Sequence, residues 1–126
     1  MSRVPSRNSA PEICLRQALF AQGLRYRLNA KSLPCKPDIV FPSARLAIFV
    51  HGCFWHQHDM CPKARMPKTR TDFWAEKFRR NKNRDTRNIR ELREVEWTAV
   101  IVWECELKRP NRLAEIVMET ATFVRR

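Results

Sequence analysis

Side chains that can bind metals and transfer protons gather between Ala47 and Cys61. An apolar run, Leu46 to Val50, ends at His51, and all three histidines of the protein lie within eight positions of one another. Two cysteines, Cys53 and Cys61, fall in the same stretch. A buried strand that ends in such groups is typical of a functional site rather than of a piece of core.

A zinc site is the first chemistry that these residues predict. Thiolate and imidazole groups are the usual ligands of structural Zn²⁺, in a tetrahedral set such as Cys₃His. The predicted ligands are Cys53, His58, Cys61 and Cys105. The alternative is that Cys53 and Cys105 are small buried hydrophobic residues near strand ends. Cys14 and Cys35 are interpreted as bystanders.

A hydrolytic site with Mg²⁺ is the second chemistry that these residues predict. Asp38 begins one apolar strand and can face the end of its antiparallel neighbour, where Val50 and His51 lie. One carboxylate, a backbone carbonyl and waters can hold Mg²⁺, and a nearby histidine could deprotonate an attacking water. The candidates are Glu12, Asp38, His51, His56 and Asp85. Taken singly, each could be a hydrogen-bonded structural group, but together with the charge of the chain they favour a site.

Aromatic residues among basic ones form the third pattern. Such rings can stack on bases while the cations hold phosphates. The aromatic candidates are Phe54, Trp55, Phe73 and Trp74, and the flanking cations include Lys68 and Arg70. For Phe73 a core position is the favoured interpretation, as it is for Trp97 and Trp103 in a later apolar strand.

The charge of the chain indicates a polyanionic partner. Its 126 residues carry 25 Lys and Arg against 13 Asp and Glu, a net charge of +12. Such a field favours nucleic acid over the alternatives, an incidentally basic surface or an anionic membrane. With no apolar run near 20 residues and no signal peptide, we expect a cytoplasmic protein. An odd number of cysteines argues against a disulfide framework.

The predicted elements form one α/β or α+β domain with a small mixed sheet. We expect an N-terminal arm over residues 1–10 and a domain over 11–126, with its first helix from Pro11 to about Ala21. A short strand over 24–28 precedes a hairpin of strands 38–41 and 46–50. Thr71 is the predicted N-cap of a helix over 72–94, with a possible break at 81–83. A strand over 97–103 and a helix from Pro110 complete the domain.

Four stretches together resemble the very short patch repair (Vsr) DNA mismatch endonucleases. They are Pro34–Phe41 (PCKPDIVF), His51–His56 (HGCFWH), Thr69–Trp74 (TRTDFW) and Val102–Cys105 (VWEC). The resemblance runs from Pro11 to Leu107. It implies a restriction-endonuclease-like α/β fold with a single domain. It also implies Mg²⁺-dependent nicking of one strand, 5′ to the thymine of a T:G mismatch left by deamination of 5-methylcytosine, which initiates very short patch repair.

The resemblance also implies roles for individual residues. Asp38 resembles the carboxylate that binds Mg²⁺, with the backbone carbonyl of Val50 as its companion, and His56 resembles the general base. His51 and Asp85 resemble further active-site members, and Glu12 a carboxylate that orients the water. The implied zinc ligands are Cys53, His58, Cys61 and Cys105. Phe54, Trp55 and Trp74 resemble the aromatics that intercalate beside the mismatch.

Two other functions stay open beside this one. The chain could be a related nuclease of different specificity, or a zinc-stabilised DNA-binding module without catalysis. The expected partner in the main interpretation is double-stranded DNA with a T:G mismatch, in the nucleoid, with DNA repair proteins as possible partners. A single asymmetric nick is compatible with a monomer.

Overall fold

A three-stranded mixed sheet with helices on both faces forms the fold. The computed structural model describes residues 10–28, 30, 32–53, 58, 61 and 67–126. The helices are α1 (Ala10–Ala21), α2 (Thr71–Glu94), α3 (Glu104–Leu107) and α4 (Pro110–Val124), and the strands are β1 (Ile39–Phe41), β2 (Leu46–His51) and β3 (Thr98–Trp103). None of the helices in this part of the chain has the length and apolar character to cross a bilayer.

The sheet topology brings one end of each of the three strands to the same side of the sheet. The strand order is β1-β2-β3. β1 pairs with β2 in the antiparallel direction, and β2 pairs with β3 in the parallel direction. A short 3₁₀ turn, Pro42–Ala44, and Arg45 in the left-handed region connect the hairpin. The parallel pair needs a long crossover, which α2 provides. The start of β1 therefore lies beside the ends of β2 and β3.

Each face of the sheet has its own apolar core. On one face, residues of α1 and α4 such as Leu15, Leu19 and Ile116 pack on Ile48 and Val102. On the other face, Leu92 packs with Val40, Ala47 and Phe49. Leu92 is the buried anchor of α2 on this side, and Trp97 packs against the same cluster. The core positions predicted for the hairpin and for Trp97 are confirmed.

The observed elements confirm most of the predicted ones. The first helix, the hairpin, the third strand and the final helix all form, so the predicted fold class, a small α/β domain, is confirmed. α3 was not predicted. The arm over 1–10 and domain over 11–126 stay a prediction, because residues 1–9 lie outside the described part; Ala10 itself begins α1.

Three local predictions are wrong. Residues 24–28 form no strand, because only Arg27 bridges to Val40. α2 runs unbroken through 81–83 for 24 residues, about 36 Å at 1.5 Å per residue. Its N-cap is Arg70, whose carbonyl accepts the Trp74 N–H at 3.1 Å; no capping side-chain hydrogen bond accompanies it.

Candidate active site and metal centre

Three thiols and one imidazole converge at the edge where β2 and β3 end. Cys53 follows β2, and Cys105 lies in α3 directly after β3. Together with His58 and Cys61 they place one ligand atom each within 4.8 Å of one another. His58 Nδ1 lies 3.7 Å from Cys53 Sγ and 3.5 Å from Cys105 Sγ. The sequence-predicted set of four is thus brought together.

These spacings fit a tetrahedral metal ion. With Zn–S near 2.3 Å and Zn–N near 2.0–2.1 Å, a tetrahedral angle separates sulfur and nitrogen by about 3.6 Å. The two observed distances bracket that value. Nitrogen and sulfur donors exclude Mg²⁺ and Ca²⁺ as preferred occupants, since those ions select oxygen. The cluster can therefore hold a metal of the zinc type.

A metal bound at this cluster would have to displace the thiol proton of Cys53. The Cys53 side chain is fully buried, and burial, with the neighbouring Cys105 and Cys61 thiols, raises its pKa to about 12. A bound cation reverses this preference because it stabilises the thiolate. The Cys53 backbone N–H donates to Glu104 Oε1 at 3.3 Å, which ties the start of the cluster loop to α3.

Asp38 and Val50 meet at the same edge. The Val50 N–H donates to Asp38 Oδ2 at 2.7 Å, and the Asp38 N–H donates to the Ile48 carbonyl at 3.0 Å. Within a strand the N–H and C=O of one residue point to the same side, so the Val50 carbonyl also faces the Asp38 side of β2. Val50 lies two residues beyond the last β1–β2 pair, Ile39 with Ile48. A carboxylate and a backbone carbonyl, both oxygen ligands of the kind that hard cations select, thus lie together at this end of the sheet.

His51 and Asp85 form a second pair beside them. His51 is 5% exposed at the end of β2, and its Nε2 lies 3.8 Å from Asp85 Oδ1 on α2. This separation exceeds a hydrogen bond but lies within ion-pair range. Because α2 crosses the sheet, a carboxylate distant in sequence reaches the end of β2. The structure therefore brings these two predicted residues together.

The two remaining catalytic candidates are Glu12 and His56. Glu12 is 4% exposed in α1 and pairs with Arg16 one turn later. α1 contacts α3, which follows β3 at this edge of the sheet. His56 lies outside the described residues, so its predicted role as general base stays a prediction.

An aromatic and basic surface opens at the N-terminus of α2. Phe73 is 47% exposed, so its predicted core position is wrong; its ring meets Trp74 edge-to-face at 5.3 Å. Trp74 is half-buried and stacks on the buried Phe78 at 5.7 Å. The Arg70 guanidinium lies 4.4 Å from the centre of the Phe73 ring, and Lys68 is exposed nearby in sequence. Phe54 and Trp55 lie outside the described residues.

The sequence did not predict the contacts that Trp103 and Glu106 make at the end of β3. Trp103, predicted as core, is half-buried and contacts two histidines instead. Glu106 Oε1 accepts the Trp103 N–H at 2.9 Å, and Glu106 Oε2 accepts from Arg112 Nε at 2.8 Å. Burial opposes ionisation of Glu106, but the Trp103 N–H and the Arg112 guanidinium outweigh it and lower its pKa. The contact between Trp103 and His51 follows from the β2–β3 register, which no local pattern reveals.

Comparison with known proteins decides the family. A family model described as DNA mismatch endonuclease Vsr matches residues 1–62. The DNA mismatch endonuclease Vsr of Escherichia coli is 44% identical over 115 residues, which are 91% of this chain and 73% of that protein. The chain belongs to the Vsr family of DNA mismatch endonucleases. The resemblance inferred from the sequence motifs is confirmed.

Other Vsr-family relatives are named as nicking enzymes. The type II nicking enzyme V.NmeAIP of Neisseria meningitidis is 43% identical over 123 residues, covering 94% of this chain and 87% of the relative. The type II nicking enzyme V.XorIIP of Xanthomonas oryzae is 48% identical over 107 residues, covering 85% and 78%. Membership of the Vsr family makes this chain a restriction-endonuclease-like DNA endonuclease.

Proposed function

We propose that this chain nicks one strand of double-stranded DNA 5′ to the thymine of a T:G mismatch and thereby initiates very short patch repair. The observation that carries the proposal is the 2.7 Å hydrogen bond from Val50 N–H to Asp38, in a chain of the Vsr family. It places a carboxylate and a backbone carbonyl together beside the His51–Asp85 pair. Such a group of oxygen ligands and titratable side chains at a strand end suits phosphodiester hydrolysis.

Asp38 and the Val50 carbonyl are the proposed Mg²⁺ ligands. Both offer oxygen, the donor that Mg²⁺ selects. When bound there, Mg²⁺ would supply a Lewis acid that stabilises charge on the scissile phosphate. The contribution of the chain is to fix the carboxylate, because the Val50 N–H holds one oxygen of Asp38 in place beside the end of β2.

The proton-transfer roles follow the resemblance. His56 is the proposed general base that takes a proton from the attacking water, and Glu12 the carboxylate that orients this water. His51 and Asp85 complete the active site, where a protonated His51 would be stabilised by the Asp85 carboxylate. The water attacks phosphorus, a P–O bond of the backbone breaks, and the leaving oxygen gains a proton.

DNA recognition is assigned to the aromatic and basic surface at the start of α2 and to two aromatic residues outside the described part of the chain, Phe54 and Trp55. Phe54, Trp55 and Trp74 are the proposed wedge, and Lys68 and Arg70 the proposed phosphate contacts. The cost of unstacking is lower at a mismatch than at a matched pair, which favours T:G. The exposed ring of Phe73, with Arg70 against it, supports an extended stacking surface.

The Cys₃His cluster is the proposed structural zinc site. Its nitrogen and sulfur donors and its spacing support Zn²⁺. We further propose that the protein acts as a monomer in the cytoplasm, bound to the nucleoid, and that DNA repair proteins are partners. A nick on one strand requires only one active site.

Replacement of the central carboxylate tests the catalytic assignment. Asp38→Asn keeps the size of the side chain and an oxygen that can accept the Val50 N–H, but removes the charge. We expect nicking of a T:G duplex to fall by about 100-fold or more, since a metal-binding carboxylate is lost. Binding to the same duplex, measured by fluorescence anisotropy with Mg²⁺ absent, should stay within about twofold.

The matched control is Glu94→Gln, at an exposed carboxylate in the last turn of α2. Its nicking rate should stay close to that of the wild type. Equal nicking by Asp38→Asn would refute the assignment. Cleavage by the wild type of both strands, or of matched duplexes, would instead select a nuclease of different specificity. Tight binding without cleavage under any condition would select a non-catalytic module.

A further inference from the structure

The indole of Trp103 contacts both the metal-capable cluster and the His51–Asp85 pair. One face stacks on the His58 imidazole, with ring centroids 4.0 Å apart and planes within 8°. The His51 ring meets the same indole edge-on at 5.2 Å and 80°. His58 is one of the four cluster residues, and His51 faces Asp85. A single side chain therefore touches both parts of the site.

Trp103 is itself held firmly. It is the last residue of β3 and pairs with His51 in the parallel register. Its backbone N–H donates to Glu106, which Arg112 holds in turn. With the backbone fixed at this point, the indole can move only by rotation about its side-chain torsions, and the His58 ring lies flat against it. The His58 ring thus contributes to the packing that sets the position of the indole.

We propose that Trp103 is a positioning residue that makes the orientation of His51 depend on the Cys₃His cluster. The cluster atoms Cys53 Sγ and Cys105 Sγ lie around His58 Nδ1, so a metal bound by them fixes the His58 ring. The fixed ring supports one face of the indole, and the indole supports His51 opposite Asp85. The effect on nicking rests on the proposed function, whereas the effect on ring positions does not.

The geometry distinguishes this role from simple filling of space. In the described part of the chain, the two apolar clusters that form the core do not include Trp103, whereas Trp97, just before the same strand, packs against the second cluster. Loss of Trp97 should lower stability without moving either histidine. Loss of Trp103 should move His51, even in protein that keeps its metal and its fold.

Three variants make this comparison: Trp103→Leu, Trp103→Phe and, as the matched control, Trp97→Leu. All are purified with Zn²⁺, their metal content is measured, and the histidine ring resonances are recorded by NMR. Ring protons near an indole are shifted by its ring current, so His51 and His58 report the contact directly. Removal of the indole abolishes its ring current at both histidines whatever their orientation, so the orientation of His51 is read from nuclear Overhauser contacts between its ring and Asp85. We expect these contacts to change in Trp103→Leu and to stay unchanged in Trp97→Leu. Chelation of the metal from the wild type should change these contacts as well.

Kinetics on a T:G duplex give the second readout. In Trp103→Leu we expect kcat to fall about 10- to 100-fold, because a displacement near 1 Å can cost about that much. KM should stay within about twofold, since no proposed DNA contact is removed. Trp103→Phe retains an aromatic face for His58 and should recover most of kcat. Trp97→Leu should lower the melting temperature but leave kcat close to that of the wild type.

The outcomes separate this inference from the proposed function. His51–Asp85 contacts that stay unchanged in Trp103→Leu, or on metal removal from the wild type, would overturn the positioning role whether or not the protein nicks DNA. A changed orientation of His51 with unchanged kcat would confirm the coupling of ring positions and overturn its effect on nicking. Failure of the wild type to nick any duplex would reject the proposed function, while the His51–Asp85 contacts would still test the coupling. Should Trp103→Leu not fold, Trp103→Phe and metal removal from the wild type provide the same test.

Discussion

Metal binding by the Cys₃His cluster should release protons, and their number follows from the ligand set. Each thiol that becomes a ligand must lose its proton. The cluster contains three thiols and one imidazole, Cys53, Cys61, Cys105 and His58. Free cysteine is mostly protonated at pH 7, and burial raises the pKa of Cys53 further, to about 12. Loading one Zn²⁺ near neutral pH should therefore displace close to three protons.

The number of protons released determines how steeply the Zn²⁺ affinity changes with pH. Each displaced proton changes the apparent binding constant tenfold per pH unit, which is about 1.4 kcal/mol. Three protons give roughly 10³-fold, or about 4 kcal/mol, for each pH unit below the thiol pKa values. The sign is fixed by the chemistry: the thiolate binds and the thiol does not. Zn²⁺ affinity must therefore rise with pH.

Isothermal titration calorimetry measures this number. Reduced, metal-free protein is titrated with Zn²⁺ in buffers of different ionisation enthalpy, and the slope of heat against that enthalpy gives the protons released. Cys61→Ser should lower the slope by about one proton and weaken binding, since one thiolate ligand is lost. The control Cys35→Ser, outside the cluster, should leave the slope unchanged. A release of one proton or fewer in the wild type would refute the Cys₃His ligand set.

Three further perturbations test the packing and the DNA surface. Glu106→Gln should cost about 1–2 kcal/mol, since it weakens charge-assisted hydrogen bonds. Because the folded state lowers the Glu106 pKa, its stabilisation is present above the unfolded pKa and lost as pH falls, so urea unfolding of the variant should vary less with pH between 5 and 3. Leu92→Ala, at a fully buried site, should cost about 2–5 kcal/mol in the same assay; an unchanged midpoint would contradict the second core. Arg70→Ala should reduce the salt slope of DNA binding by about 1, whereas Arg45→Ala, at the β1–β2 turn, should not.

The sequence predicted the fold where local pattern and packing agree. The apolar runs 38–41 and 46–50 gave the hairpin, and Pro110 marked the final helix. The prediction from sequence was wrong where tertiary contacts outweigh the local conformational preference of the residues. The asparagines at 81 and 83 lower helix propensity by only a few tenths of a kcal/mol each, and buried Phe78 and Leu92 on either side hold α2 continuous. The alternating run 24–28 resembles a strand but pairs only at Arg27.

The site could be predicted as far as its residues carry recognisable chemistry. Cysteine and histidine spacing predicted the metal cluster, and Asp38 before an apolar run predicted its meeting with Val50. The role of Trp103 could not be predicted, because an aromatic residue in an apolar strand usually indicates core. Its contacts depend on the parallel register of β2 and β3, which no local pattern reveals.

The most direct test of the proposed function is the position of a single cut. End-labelled duplexes that contain one T:G mismatch or a matched C:G pair, in several flanking contexts, are incubated with the protein and Mg²⁺, and the products of both strands are sized. We expect one nick, immediately 5′ of the mismatched thymine, that is absent with C:G and abolished by EDTA. Cuts on both strands, equal cutting of C:G, or no cut in any context would contradict the proposed function.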